Sequence, residues 1–323
     1  MYNRTDREMP RTTPGADRPA RMNILAGLEL GGTKCVCVLG AGPHDLRAKV
    51  QIPTEAPAKT LARIEKILRD WRAEHGVFAG LGVASFGPIE KREDSSTPGH
   101  IGSTSKPGWS NTDVVGQLVR HFGVPVGFAT DVEGAALAEG RWGGARGLDD
   151  FAYITVGTGV GVGLIVGGRT AGGFGHPELG HIRVIRRPGD EWEGICPFHG
   201  SCVEGLISGP AIAARTGIAA DQVPADHPVW DSVIFTLGQL LHVLVLSTAP
   251  RRILIGGGVV QSRPYLFEGI REALRRSLAG YRHARELDDL SRYVVPPGLG
   301  DLAGPFGALA LAADAARVGP QSA

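Results

Sequence analysis

Two related α/β domains flanking a cleft are the architecture this sequence predicts. Three observations lead to it. A strand–turn–strand signal with a glycine turn occurs near the start and again at mid-chain. Each copy is followed by alternating extended and helical segments. The length, 323 residues, suits one large domain or two mid-sized ones. Ligand sites favour clefts between such halves.

The elements follow in chain order. Residues 24–39 hold two apolar runs, ILAGLEL and CVCVLGA, joined by Gly31-Gly32-Thr33-Lys34. They predict a hairpin. Cys35 and Cys37 stand two apart, so they share one strand face and read as buried thiols. Leu61, Ile64, Ile67, Leu68 and Trp71 recur at helical spacing within 57–75. Residues 78–87 form a strand, and 88–110, aperiodic with three prolines, a long loop. Loops of that length inside a domain are usually functional. A helix over 112–122, a strand over 125–130 and a helix over 132–141 come next. FAYITVG and VGLIVGG then flank Thr158-Gly159-Val160-Gly161 as the second hairpin. Residues 168–202 are irregular. Helices dominate from 203, notably 228–248. A strand over 251–258 ends in three glycines, a helix spans 264–280, and 300–316 is a loop leading into a terminal helix. The division expected is a polar tail over 1–22, one domain from 23–130 plus 304–323, and a second from 131–303 carrying the irregular loop.

Composition narrows the function classes. Hydrophobic residues make 42% and charged residues 21%, ordinary for a globular chain. Lys+Arg (34) and Asp+Glu (33) nearly cancel, so nothing points to nucleic acid. No stretch reads as a membrane span of about 18–20 apolar residues. The first 22 residues lack the apolar run of a secretory signal and read as a disordered tail. All three methionines (Met1, Met9, Met22) fall there, so a start at Met22 would keep the folded part whole. A cytoplasmic location is the expectation. The 48 glycines are about twice the usual share of roughly 7%. They cluster, as they do where backbone approaches a ligand or turns sharply.

Three groups of residues carry chemistry. No G-x-x-x-x-G-K-[ST] and no G-x-G-x-x-G between strand and helix is present, which leaves P-loop and dinucleotide-fold sites unsupported. Instead GLELGGTK and ITVGTGVGVG offer open backbone amides beside Thr33, Lys34 and Thr158, concavities suited to anions. One glycine hairpin is as a rule only a turn. Two with matching threonines, plus Gly256-Gly257-Gly258 at a strand end, read as a phosphate site. Asp131 ends an apolar strand and opens a helix. By itself it reads as a helix N-cap; beside two phosphate turns it reads as a base for a hydroxyl attacking phosphorus. Finally, His181 precedes Cys196-x-x-His199-x-x-Cys202 in a Gly/Pro-rich loop, with His176 nearby. Four nitrogen and sulfur ligands with such short spacing suit a closed, structural zinc site.

At this point the motifs resemble the ROK family of sugar kinases and repressors, nearest its bacterial fructokinase branch. The matching segments are GLELGGTK (27–34), SFGPI (85–89), KPGW (106–109), TDVEGAALAEG (130–140), YITVGTGVGVG (153–163), GHPELGH (175–181), CPFHGSCVEGLISGPAI (196–212), ILIGGGV (253–259) and GDLAGPFGA (300–308). They run in order from about 24 to 316. The resemblance implies an actin/hexokinase-like (ribonuclease H-like) fold and transfer of the ATP γ-phosphate to a hexose, with Mg²⁺; the fructokinase branch would make fructose 6-phosphate. It makes Asp131 the catalytic base and puts Glu178, His181 and Glu204 on sugar hydroxyls. His181 would also hold zinc through its other nitrogen. Gly31, Gly32, Thr33 and Lys34, with Gly157, Thr158 and Gly159, would face the phosphates. Gly209 and Gly256 to Gly258 would line the nucleotide further along. A homodimer is common in the family.

Two departures stand out. Glu29 occupies a position where hexokinase-like proteins usually carry Asp, as the fructokinase branch commonly does. Glu133 replaces the Asn that usually helps bind a sugar hydroxyl two residues after the base, so Glu133 is expected among the substrate-binding residues. It can only accept hydrogen bonds when ionised. It also adds a charge near Asp131, which would raise one of the two pKa values if the carboxylates met. Glucose, mannose or an N-acetylhexosamine stay open as acceptors, and a non-catalytic sugar sensor is a further reading motivated by Glu133. A repressor is disfavoured, because about 22 polar residues before the first strand are too few for a helix-turn-helix.

Overall fold

Apolar residues alternating across a glycine turn pair with one another to make the first hairpin. The computed structural model describes residues 24–104, 106–281 and 285–318; the tail expected over 1–22 lies outside the described residues. β1 (Leu25–Leu30) and β2 (Lys34–Gly42) are antiparallel, with Leu30 opposite Cys35. A third strand, β3 (Asp45–Pro53), folds back along β2. The apolar runs do not predict it. Its signal is the alternation of Ala48, Val50 and Ile52 with exposed Arg47, Lys49 and Gln51, that of a half-solvated edge strand. Helix α1 (Pro57–His75), which begins with proline in its first turn, buries Leu61, Ile64, Leu68 and Trp71. β4 (Gly80–Ser85), α2 (Val115–Phe122) and β5 (Val126–Thr130) complete this half. β4 runs parallel to β1, and β5 parallel to β4.

After α3 (Asp131–Trp142) the pattern repeats. β6 (Phe151–Val156) and β7 (Val160–Val166) form the second hairpin, and the short β8 (Arg169–Thr170) folds back on β7. The short α4 (Val203–Ile207) and α5 (Gly209–Thr216) precede α6 (Val229–Thr248). β9 (Ile253–Gly256) is parallel to β6. Then come α7 (Gly258–Gln261), α8 (Leu266–Leu278), α9 (Leu290–Tyr293), β10 (Val294–Val295) and α10 (Ala303–Val318). The strand orders are β3-β2-β1-β4-β5 and β8-β7-β6-β9-β10, so the two sheets share one topology. The expected α/β repeat is present, with one more antiparallel strand per copy than the hairpins alone predict.

Each sheet has its own core. Trp109, Ile64 and Leu118 lie under the first, and α6 packed on α8 fills the second with Leu237, Leu241, Ile270 and Leu274. α6 corrects one expectation: it is long and apolar enough to cross a membrane by length and composition alone. Its residues are mostly buried in this core, which explains their apolarity.

Part of the glycine excess serves packing. Gly27, Gly82 and Gly127 stand in register on β1, β4 and β5, a row across the sheet. α10 lies on that row: a Cβ at Gly82 would overlap the Ala308 carbonyl, and one at Gly127 would come 2.5 Å from the Leu311 carbonyl. Gly82→Val should therefore destabilise the fold by about 2–3 kcal/mol, as overpacking does when backbone cannot move aside. A urea titration should move the midpoint with little change in slope. Gly173→Ala, at a glycine with nothing within 4 Å of the added carbon, should leave the midpoint in place.

Candidate active site

β5 ends at Thr130 and α3 begins at Asp131, as the sequence predicts, but the helix cap is Thr130. Its hydroxyl accepts from the Glu133 amide at 3.2 Å, and its own amide donates to Glu133 Oε2 at 3.1 Å. This capping box relieves Asp131 of capping duty. Asp131 Oδ1 accepts one bond, from the Val132 amide at 2.8 Å. Burial first, and the Glu178 carboxylate as a charged neighbour, push the Asp131 carboxyl up to about 6.

Glu133, expected among the substrate-binding residues, has both carboxylate oxygens taken by protein groups. It is buried, at 2% exposure. Oε2 also accepts from the Thr130 hydroxyl at 3.2 Å, and Oε1 accepts from Lys91 Nζ at 2.7 Å. Both oxygens are committed to holding the helix start and the loop after β4. Its charge is neutralised by Lys91, and the carboxylate that acts on Asp131 is Glu178.

The first glycine turn closes with the Gly31 amide donating to the Lys34 carbonyl at 3.1 Å. Among the described residues, the Gly32 and Thr33 amides have no protein acceptor. Glu29 lies just before this turn, against Gly304 at the start of α10. Burial, then the Asp131 charge, raise its carboxyl to about 7, opposed by Lys34 and Lys49. Glu29 and Asp131 therefore share one field, a pairing the sequence analysis did not foresee.

The second turn is tied to two other predicted segments. The Gly157 amide donates to the Gly159 carbonyl at 2.9 Å, and the Gly209 amide donates to the Gly157 carbonyl at 2.7 Å. Gly257, in the left-handed region at φ +85°, seats against the backbone of Val156, the last residue before this turn, and Gly256 pairs with Thr155. The Val160 amide donates to Glu204 Oε2 at 3.0 Å, linking the turn beside Thr158 to α4.

His181 closes a 3₁₀ turn, Leu179–His181. Its Nδ1 lies 3.6 Å from both Cys196 Sγ and Cys202 Sγ, and His199 Nδ1 lies 3.7 Å from Cys196 Sγ. All four ligand atoms fall within 4.8 Å of one another. Zn–S of about 2.3 Å and Zn–N of about 2.0–2.1 Å at a tetrahedral angle put sulfur and nitrogen about 3.6 Å apart, so the donor set fits zinc. His181 Nε2, the other ring nitrogen, is 3.9 Å from Glu204 Oε1. His176 is outside the metal set: its Nε2 lies 2.7 Å from Glu178 Oε1. A Cβ built on Gly87, in the loop after β4, would sit 3.4 Å from His176 and 3.5 Å from Glu178. That loop and the GHPELGH segment therefore meet at Glu178. The role of His176 as the Glu178 partner was not legible in the sequence, since nothing in its spacing separates it from a metal ligand.

Asp131, Glu178, Glu204 and His181 thus belong to one connected group bordered by two glycine turns. The chain as a whole resembles known proteins. The ROK family model matches residues 25–315. The chain is 40% identical over 289 residues to the fructokinase of Pediococcus pentosaceus, covering 90% of this chain and 97% of that one. It is also 40% identical over 294 residues to the fructokinase of Zymomonas mobilis subsp. mobilis, covering 90% and 96%. The crystal structure of the ROK hexokinase from Thermus thermophilus is similar at a TM-score of 0.75 and 27% identity, over 92% of this chain and 100% of that one. With the family model covering both sheets, this chain belongs to the ROK family.

Proposed function

We propose that this chain transfers the γ-phosphate of Mg-ATP to the 6-hydroxyl of D-fructose. The observation that carries the reading is the Asp131 carboxylate, released from capping by Thr130 and held at the start of α3 beside Glu178. Similarity to fructokinases at 40% identity supports fructose as the acceptor. The sensor reading rested on Glu133, and neutralisation of that carboxylate by Lys91 removes its motive.

The hexose lies among Asp131, Glu178, His181 and Glu204, between residues 23–130 with 304–323 on one side and 131–303 on the other. Closure of the two halves expels water. Asp131 orients the 6-hydroxyl and takes its proton. A pKa near 6 leaves it ionised at neutral pH yet more basic than an ordinary Asp. The amides of Gly32 and Thr33, with Lys34, and the turn of Gly157, Thr158 and Gly159 receive the phosphates. Gly209 and Gly256 to Gly258 line the nucleotide beyond them. Mg²⁺ would neutralise phosphate charge, and Glu29 is the carboxylate of this chain beside the first turn. His181, Cys196, His199 and Cys202 would hold zinc in a closed site, which has a structural role. With Nδ1 on the metal, the His181 ring is oriented so that Nε2 serves the sugar.

A panel of hexoses with Mg-ATP should give the highest kcat/KM on fructose; a higher value on glucose would overturn the acceptor assignment. Asp131→Asn should lower kcat by about 10²–10⁴, and kcat/KM of the parent should fall about tenfold per pH unit below about 6 as the base is protonated. Stability should move the opposite way. A carboxyl raised above its ordinary 3.8 binds its proton more tightly in the folded state, so it costs stability increasingly from pH 4 to 6 and fully above. The Tm of Asp131→Asn at pH 8 should therefore equal or exceed that of the parent. Elemental analysis should find one zinc per chain, and its removal by a chelator should lower Tm and raise the KM for fructose more than that for ATP. Active protein without zinc would refute the metal assignment.

A further inference from the structure

The KPGW segment, singled out in the sequence, has no part in the site as described so far. Its lysine reaches the first glycine turn. The Gly31 carbonyl accepts from Thr54 Oγ1 at 2.7 Å, the Gly32 carbonyl accepts from Lys106 Nζ, and the Thr33 carbonyl accepts from the Thr54 amide at 3.0 Å. The Lys34 carbonyl accepts from Gly31. Every carbonyl of the turn is thus drawn to a protein donor. In a trans peptide the C=O and the next N–H lie in one plane and point opposite ways. Drawing the Gly31 carbonyl to Thr54 aims the Gly32 amide away from Thr54. Drawing the Gly32 carbonyl to Lys106 does the same for the Thr33 amide. These are the two amides without an acceptor among the described residues.

Both tethers are themselves anchored. Lys106 Nζ lies 6.0 Å from the centroid of the Phe86 ring, which meets Trp109 edge-on at 5.4 Å. Trp109 is fully buried, and its Nε1 donates to the Glu55 carbonyl at 2.9 Å, next to Thr54. Cys35 Sγ sits 3.2 Å from Thr54 Oγ1. Lys106 is half-buried, and among the described residues no carboxylate pairs with it. Its positive charge therefore stays on the turn, where an anion is best served.

We infer that Lys106 and Thr54 are positioning residues for a nucleotide polyphosphate: they hold the carbonyls of the first glycine turn back so that the Gly32 and Thr33 amides face the phosphates. The inference rests on the reading of that turn as the phosphate site. Isothermal titration with Mg-ADP and with adenosine, beside steady-state kinetics, tests it. Lys106→Met should weaken Mg-ADP binding and raise the KM for ATP about tenfold, the scale of a lost charged hydrogen bond, while adenosine binding and the KM for fructose change by less than about twofold. Lys106→Arg should restore most of the affinity. Thr54→Val, which keeps its amide bond to Thr33, should weaken Mg-ADP about threefold. Should Lys106→Met fail to fold, the Arg and Val variants carry the same test. Mg-ADP affinity unchanged in Lys106→Met, or in Thr54→Val where the first does not fold, overturns the inference. So does an equal loss toward Mg-ADP, adenosine and fructose, which marks general loosening. If the parent binds no Mg-ADP and phosphorylates no hexose, the kinase reading itself falls and takes this inference with it.

Discussion

Close approach of α10 to the first sheet is the contact on which the rest of the molecule depends. A helix is normally held off a sheet by the side chains that fill the gap between them. Here the row of Gly27, Gly82 and Gly127 leaves that gap empty, and the small residues Ala308 and Ala312 of α10 settle into it. α3 then packs on α10 with equal closeness, since a side chain at Gly307 would overlap the Gly134 backbone. On its far side α3 meets β7, where a side chain at Gly163 would overlap the Val132 carbonyl. The result is a stack of sheet, helix, helix and sheet held at backbone contact. This stack places α3, which begins at Asp131, between the two sheets.

The carboxylates around that point are treated in three different ways. Glu133 is buried but given Lys91 and both Thr130 donors, so its charge is compensated. Glu204 receives the Val160 amide and stands near His181. Asp131 and Glu29 are left with few partners and with each other, and their carboxyl groups rise to about 6 and about 7. Uncompensated burial is costly for an anion, and it is tolerated where the charge has work to do on a ligand. Glu133, which departs from the Asn usual in the family, is thus the carboxylate whose charge is compensated inside the protein.

Much of the fold was legible because it is written in local periodicity. The helices over 57–75 and 229–248, both hairpins and the strand ending in Gly256 follow from spacing that each segment carries by itself. β3 escaped because its apolar face is only half-buried and its signal weak. The apolarity of α6 was readable, but whether such a helix crosses a membrane or fills a core depends on what packs around it.

The site divides along the same line. Cys196-x-x-His199-x-x-Cys202 is a ligand set within one short loop, and the sequence by itself determined its zinc-like spacing. It also marked the two glycine turns and the Asp that opens a helix. The sequence also named His181, 15 residues before Cys196, as the fourth candidate ligand, but only the tertiary structure brings its Nδ1 to 3.6 Å from both cysteines and turns His176 to Glu178. Only it decided that Thr130 and not Asp131 caps α3, that Lys91 neutralises Glu133 from 42 residues away, and that Lys106 reaches back 74 residues to Gly32. The physical reason is range. Spacing and turn chemistry act over a few residues and can be read along the chain. The charge state of a carboxylate and the direction of an amide are set by groups brought alongside from distant segments, and those meet only once the sheets and helices have packed.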